Sequence, residues 1–195
     1  MNIDVALVNS FTVNGEGGNP AGVVFNADRL SDAQKLTIAQ AVGYSETAFV
    51  SDYDTADFEV ISTGLPDVTI PVPSGYLDAI EPDDKLIADF CRQHNLVGFH
   101  VFELCSSQSK LTASCRNFAP LFGISEESAT GSSSGALACY LTEHLALGCD
   151  YVFEQGRAMN CRSIITASVQ SDNSTITNVK VGGFATSIGT VVIPI

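Results

Sequence analysis

Residues 129–145, ATGSSSGALACYLTEHL, constrain the fold of this 195-residue chain more than any other stretch. They open with small hydroxyl and glycine residues and become apolar on nearly every side through Leu137, Cys139, Tyr140 and Leu141. A helix without a polar face has to sit inside a core, so the pattern predicts a buried helix over about 131–145 with other elements packed around it. Its first turn matters for chemistry too. The amides around Gly131, Ser132 and Ser133 have no acceptor within a helix, and glycine lets an anion approach closely.

Most of the remaining chain reads as strands. IDVALVNSF is an opening strand, NGEGGNP a turn, and GVVF a second, buried strand. GEGGNP resembles part of a dinucleotide-binding loop, but Pro20 and the strand that follows replace the helix such a loop must open. Ser31 with Gln34 makes a capping box for a helix over 32–42, where Leu36, Ala39 and Val42 follow at helical spacing and Gly43 stops it. SETAFV, ADFEVIS and VTIPV are short strands, the last two separated by the breaker STGLPD. At Pro82 the pattern turns helical, with Asp83 and Asp84 in the first turn and Leu86, Ile87, Phe90, Cys91 and His94 on one face. GFHVFEL and the segment near CRNFAP are buried strands, and the tail returns to strands in SIITASV, TITNVKVGG and ATSIGTVVIPI. The class is α+β.

The chain carries 22 acidic against 9 basic side chains, a formal charge of −13, which repels nucleic acid and anionic membrane surfaces. An anionic small molecule remains compatible, because helix N-termini and backbone amides set the local field of a site. No stretch approaches the roughly 20 apolar residues of a membrane span. The cysteines at 91, 105, 115, 139, 149 and 161 form no C-x-x-C pair and have no nearby pair of histidines. With no secretory start in MNIDVALVNSF, they read as reduced thiols of a cytoplasmic protein that needs neither metal nor nucleotide.

Carboxylates are the candidate chemical groups. GISEESATGSSSGALACYL delivers Glu126 and Glu127 to the mouth of the buried helix, although solvated glutamates before an ordinary Ser- or Thr-capped helix would look the same. Glu46 precedes a strand with an apolar face, where desolvation would raise its pKa towards a range useful for general acid–base work; a strand-end surface residue is the plainer reading. Two carboxylates flanking a cleft, with amides fixing a substrate carboxylate, suit the movement of a proton α to a carbonyl. His94 and His144 lie near helix ends and His100 in a buried strand, all with structural explanations.

Six segments, in order, resemble the PhzF-like phenazine-biosynthesis family, a branch of the diaminopimelate epimerase fold. They are GNPAGVVF (18–25), SETAFV (45–50), STGLPD (62–67), GFHVFEL (98–104), RNFAPLFGISEESATGSSSGAL (116–137) and EQGRAMNCRSIITASV (154–169). The resemblance implies two lobes, each wrapping a sheet around a central helix, with a cofactor-free isomerase or epimerase site between them. It assigns catalysis to Glu46 and Glu127, and substrate binding to Asn19, Thr130, Gly131 and Ser132. Glu127 and Ser128 stand where the family has aspartate followed by proline.

Between Val60 and Ile61 the family carries the rest of its first lobe, including a G-H-A-T segment that this chain lacks. The resemblance therefore implies a shortened lobe over 1–60 and a second lobe over 61–195, whose final strands are free to pair with the first. Losing that core would expose apolar faces of strands 2–9, 20–25 and 45–50, which a homodimer would cover; helix 32–42 filling the vacancy is the competing arrangement. Two functions stay open: an isomerase acting on a small anionic metabolite, and a non-catalytic anion-binding relative.

Overall fold

A computed structural model describes residues 1–50, 66–173 and 175–195. The expected strand ADFEVIS and the Val60–Ile61 junction lie outside the described residues.

The first sheet is built from both ends of the chain. β1 (Asn2–Ser10) pairs antiparallel with β2 (Asn19–Val24) on one side and with the last strand, β11 (Ala185–Pro194), on the other. β2 pairs in parallel with β3 (Glu46–Phe49), which requires a crossover, and α1 (Asp32–Val42) supplies it. The Ser31–Gln34 capping box closes its start, and Gly43 at φ 72° ends it. α1 seals one face of the sheet with a core of Val5, Val24, Ala27, Leu30, Ile38 and Ile193.

This lobe thus keeps a core, contrary to the expectation that it loses one. Among the described residues, its other face is partly open. Pairing register puts Ala6, Val8, Ala21, Val23, Ala48 and Val192 there, with Ala48 exposed and Val192 53% exposed.

The second sheet curls around α3 (Gly131–Leu145). Its strands are β4 (Val68–Val72), β5 (Phe99–Leu104), β6 (Ala113–Ala119), β7 (Ile124–Glu127), β8 (Asp150–Gln155), β9 (Ser163–Asp172) and β10 (Thr175–Gly182), and the main spatial order is β10-β9-β8-β6-β5-β4. Leu137, Ala138 and Leu141 of α3 pack against Phe102, Cys115, Phe153, Ile165 and Val179 of the sheet. The helix buries Ser133, Ser134, Gly135, Leu137, Ala138 and Leu141, leaves Cys139 and Tyr140 half-buried, and emerges at Glu143, His144 and Leu145. α2 (Asp84–His94) covers the outer face, where Ile87 meets Leu77, Val101 and Phe118. Its expected apolar face is only partly covered: Cys91 is buried, but Leu86 and Phe90 are 66% and 43% exposed.

β7 and β8 share one edge of β6. β8 pairs with residues 113–115 and β7 with residues from Asn117 onward, giving the partners Cys115↔Gln155 and Asn117↔Glu127. The end of β7 and the end of β8 are thereby brought together at the mouth of α3. Neither strand stands out in the sequence, since β7 has four residues, three of them polar, and β8 includes Asp150, Glu154 and Gln155 among its six.

Candidate functional site

The turn before β2 docks the first lobe onto the second. Gly17, at φ 66°, passes so close to Arg162 that an added Cβ would lie 2.0 Å from its carbonyl oxygen. The Gly18 carbonyl accepts from Ser128 Oγ at 3.0 Å and from Cys161 Sγ at 3.2 Å. Immediately after these contacts comes Asn19, buried, whose Nδ2 donates to Glu127 Oε1 at 3.0 Å and to the Ala129 carbonyl at 3.1 Å. Asn19 is absent from the cleft lining; it orients a carboxylate from behind.

Glu127 is 7% exposed and held on both oxygens. Besides Asn19, Thr130 Oγ1 donates to Oε2 at 3.0 Å. Gln155, fully buried, completes the frame: its Nε2 donates to the Glu127 carbonyl at 2.7 Å and to Thr130 Oγ1 at 3.0 Å, and its Oε1 accepts from the Thr130 amide at 3.1 Å. Gln155 escaped the sequence reading, although it lies inside the EQG segment. Burial raises the Glu127 carboxyl above the usual range, opposed by the Thr130 and Asn19 hydrogen bonds and reinforced by the charge of Asp67.

Glu46 approaches from the first lobe. Its partner across the β2–β3 ladder is Ala21, so it lies on the sheet face away from α1. It retains solvent access, yet desolvation by the surrounding walls raises its carboxyl, and the charge of Glu127 adds to the shift. The Glu127 charge therefore reaches Glu46. Both line one cleft of about 310 Å³ with Asp67, Asn117, Thr130, Ser132 and an apolar wall that includes Phe122 and Ile124.

The other sequence candidates sit differently. Glu126 is turned to the outer face and grips Arg116, with Nε–Oε1 at 2.9 Å and Nη2–Oε2 at 2.8 Å. The same guanidinium donates to the Leu77 and Ile80 carbonyls, so this nearly buried pair anchors the chain before α2 and takes no part in the cleft. Ser132 lines the cleft. Gly131 begins the helix, but an added Cβ would meet Phe11 at 3.4 Å and Val181 at 3.7 Å, on the packing side. The Thr130 amide is satisfied by Gln155, which leaves the first-turn amides of α3 from Gly131 onward for a ligand. Asp67, at the end of STGLPD, is a cleft residue the sequence reading overlooked; it accepts a hydrogen bond from Ser133 Oγ.

The sequence pattern of the phenazine biosynthesis-like protein family (PhzC-PhzF) matches residues 8–60 and 51–190. The chain belongs to this family. Among its relatives, an uncharacterised isomerase of Clostridium acetobutylicum is 27% identical over 162 residues, 80% of this chain and 53% of that protein. The trans-2,3-dihydro-3-hydroxyanthranilate isomerase of Pseudomonas chlororaphis is 26% identical over 157 residues, 79% of this chain and 51% of that protein. The chain thus spans about half the length of these curated relatives. Among solved structures, the Bacillus anthracis phenazine biosynthesis protein of the PhzF family superposes with a TM-score of 0.77 at 17% identity, covering 100% of both chains. The mixed α+β architecture with its curled sheet is the fold of this PhzF-family neighbour.

Proposed function

We propose that the protein is a cofactor-independent isomerase or epimerase that moves a proton on a small carboxylate-bearing metabolite. The observation that carries this reading is the meeting of Glu46 and Glu127, from separate sheets, at one cleft beside the N-terminus of α3. Each carboxyl has its pKa raised by desolvation, which brings a glutamate towards the range where it exchanges protons efficiently near neutral pH. In the proposed reaction one glutamate, ionised, removes a proton from carbon and the other, protonated, returns one. The substrate carboxylate rests on the amides at Gly131 and Ser132, with the Ser132 hydroxyl beside it. Asn19, Thr130 and Gln155 act on the chemistry by fixing the Glu127 rotamer.

The names of the relatives support isomerase chemistry, and the PhzF-type architecture supports a diaminopimelate epimerase-like arrangement; a shortened first lobe is part of the proposal. We place the protein in the cytoplasm as a homodimer, the partner covering the Ala6, Val8, Val23 and Val192 face of the first sheet. A second reading, an anion-binding protein without turnover, is favoured by the chain's spanning only about half of its relatives. Incubating the protein in deuterium oxide with a panel of small amino and hydroxy acids separates the two. Enzyme-dependent deuterium at carbon supports the isomerase; binding without any exchange supports the second reading.

A further inference from the structure

Among the described residues, seven other than glycine adopt a positive φ, and five of these are asparagine, which tolerates the left-handed region. The sixth, Ala146, caps the C-terminus of α3. The seventh is Phe11, at φ 65° in the turn that follows β1. A bulky side chain is costly there, and the cost persists only where the surrounding contacts impose it.

Those contacts tie the first lobe to the second. The Phe11 carbonyl accepts from the Ile164 amide of β9 at 3.1 Å, and the next amide, that of Thr12, donates to the Phe184 carbonyl at 2.9 Å. The Phe11 ring packs against the α3 core. It is seated between two glycines. A Cβ added at Gly183 would lie 2.7 Å from Phe11 Cδ1, and one added at Gly131, the first residue of α3, 3.4 Å from Cζ. Neither glycine has a positive φ, so the close approach of the ring, and not backbone conformation, is what a side chain would disturb, at Gly183 above all.

Connectivity carries this seat to the cleft. Ser10, joined to Phe11, pairs with Asn19, whose side chain holds Glu127 Oε1. Two residues along β2, Ala21 faces Glu46 across the ladder. On the other side, Gly131 lies between Thr130, the second donor to Glu127, and Ser132, which lines the cleft. The ring therefore keys the strands that carry Glu46 to the helix start beside Glu127, although Phe11 is absent from the cleft lining. A residue that merely filled the core could come from the sheet or the helix without the backbone cost.

We propose that Phe11 is a positioning residue: its ring, seated between Gly131 and Gly183, sets how closely Glu46 of the first lobe approaches Glu127 of the second. This rests on the reading of the two glutamates as the proton-moving pair. The charge of Glu127 reaches Glu46, and such an influence weakens with separation, so it gauges the spacing.

Carboxyl-carbon NMR titration of Glu46 reads that gauge in four proteins: wild type, Glu127→Gln, Phe11→Asn and the double variant. Asparagine suits the left-handed backbone and deletes the ring. Asp67, the third carboxylate of the lining, is the same in all four. Glu127→Gln is expected to lower the Glu46 midpoint in the wild-type background and to move it less than about half as far in the Phe11→Asn background. An undiminished effect in folded Phe11→Asn overturns the proposal and leaves Phe11 as core packing alone. Should Phe11→Asn give no cooperative melt, Gly183→Ala, whose methyl displaces the ring, replaces it in the cycle with the same expectation. No Glu127 effect in the wild type contradicts the pairing of the glutamates and this proposal with it. Deuterium exchange supplies the functional arm: Phe11→Asn should slow it by about 100-fold, as a misplacement of about 1 Å does, with ligand affinity changed far less. Exchange at the wild-type rate overturns the proposal. A wild type that exchanges with no candidate overturns the isomerase reading, while the NMR cycle still decides whether Phe11 sets the spacing.

Discussion

At the scale of single residues, Glu127 is buried and held on both oxygens, and its environment makes a signed pH prediction. Its native pKa is raised, so between the ordinary carboxylate value and that raised value the folded state binds more protons than the unfolded chain. Stability must therefore fall as pH rises through this window, and Glu46 contributes in the same direction. Urea unfolding across about pH 4 to 7 should show a shallower decline for Glu127→Gln than for the wild type. Equal slopes would show that burial does not perturb Glu127. Asn19→Ala removes a hydrogen bond to the charged form and should cost roughly 1.5–3 kcal/mol. It should also move the Glu127 titration further upward, readable by carboxyl carbon NMR, since Asn19 is one of the two donors that hold it down.

The candidate site was only partly legible at this scale. Glu46 and Glu127 carry signals in the residues around them, a strand edge and a glycine-rich helix start. The split between Glu126 and Glu127 does not, because it depends on which face of β7 meets Arg116. Asp67 and Gln155 become site residues only when β4 and β8 take their places in the sheet. Their neighbours in the chain say nothing about that.

At the scale of elements, the helices were the readable part. The capping box of α1 and the glycine that ends it are local devices, written within a few residues of where they act. Ser31→Ala should lower stability by about 1 kcal/mol, measured by chemical unfolding, with no effect on ligand binding. The placement of β7 and β8 on one edge of β6 is a long-range result that no periodicity encodes. Arg116 secures this region from outside by joining β6, β7 and the chain before α2. Arg116→Met strands the Glu126 carboxylate and two carbonyls, so a loss of roughly 3–5 kcal/mol in unfolding free energy is expected. A loss below about 1 kcal/mol would mean that the pair behaves as a surface salt bridge.

At the scale of the whole molecule, the first sheet is closed by α1 on one side and leaves Ala6, Val8, Val23 and Val192 on the other. The sequence reading anticipated exposed apolar strands and held helix 32–42 filling the vacancy as the competing arrangement; α1 does give this lobe a core of its own. If a second copy covers the open face, light scattering at low micromolar concentration should report a dimer, and Val192→Arg should shift it to monomer without unfolding it. A wild-type monomer would contradict the pairing.

The central claim is that two carboxylates, one from each sheet, share the movement of one proton. Its most direct test is the rate at which wild type, Glu46→Gln and Glu127→Gln wash solvent deuterium into the carbon of a substrate bound by all three. Each substitution should slow exchange by at least about 100-fold, in keeping with the loss of a general acid–base group, while binding changes far less. Exchange at the wild-type rate in either variant would contradict the account.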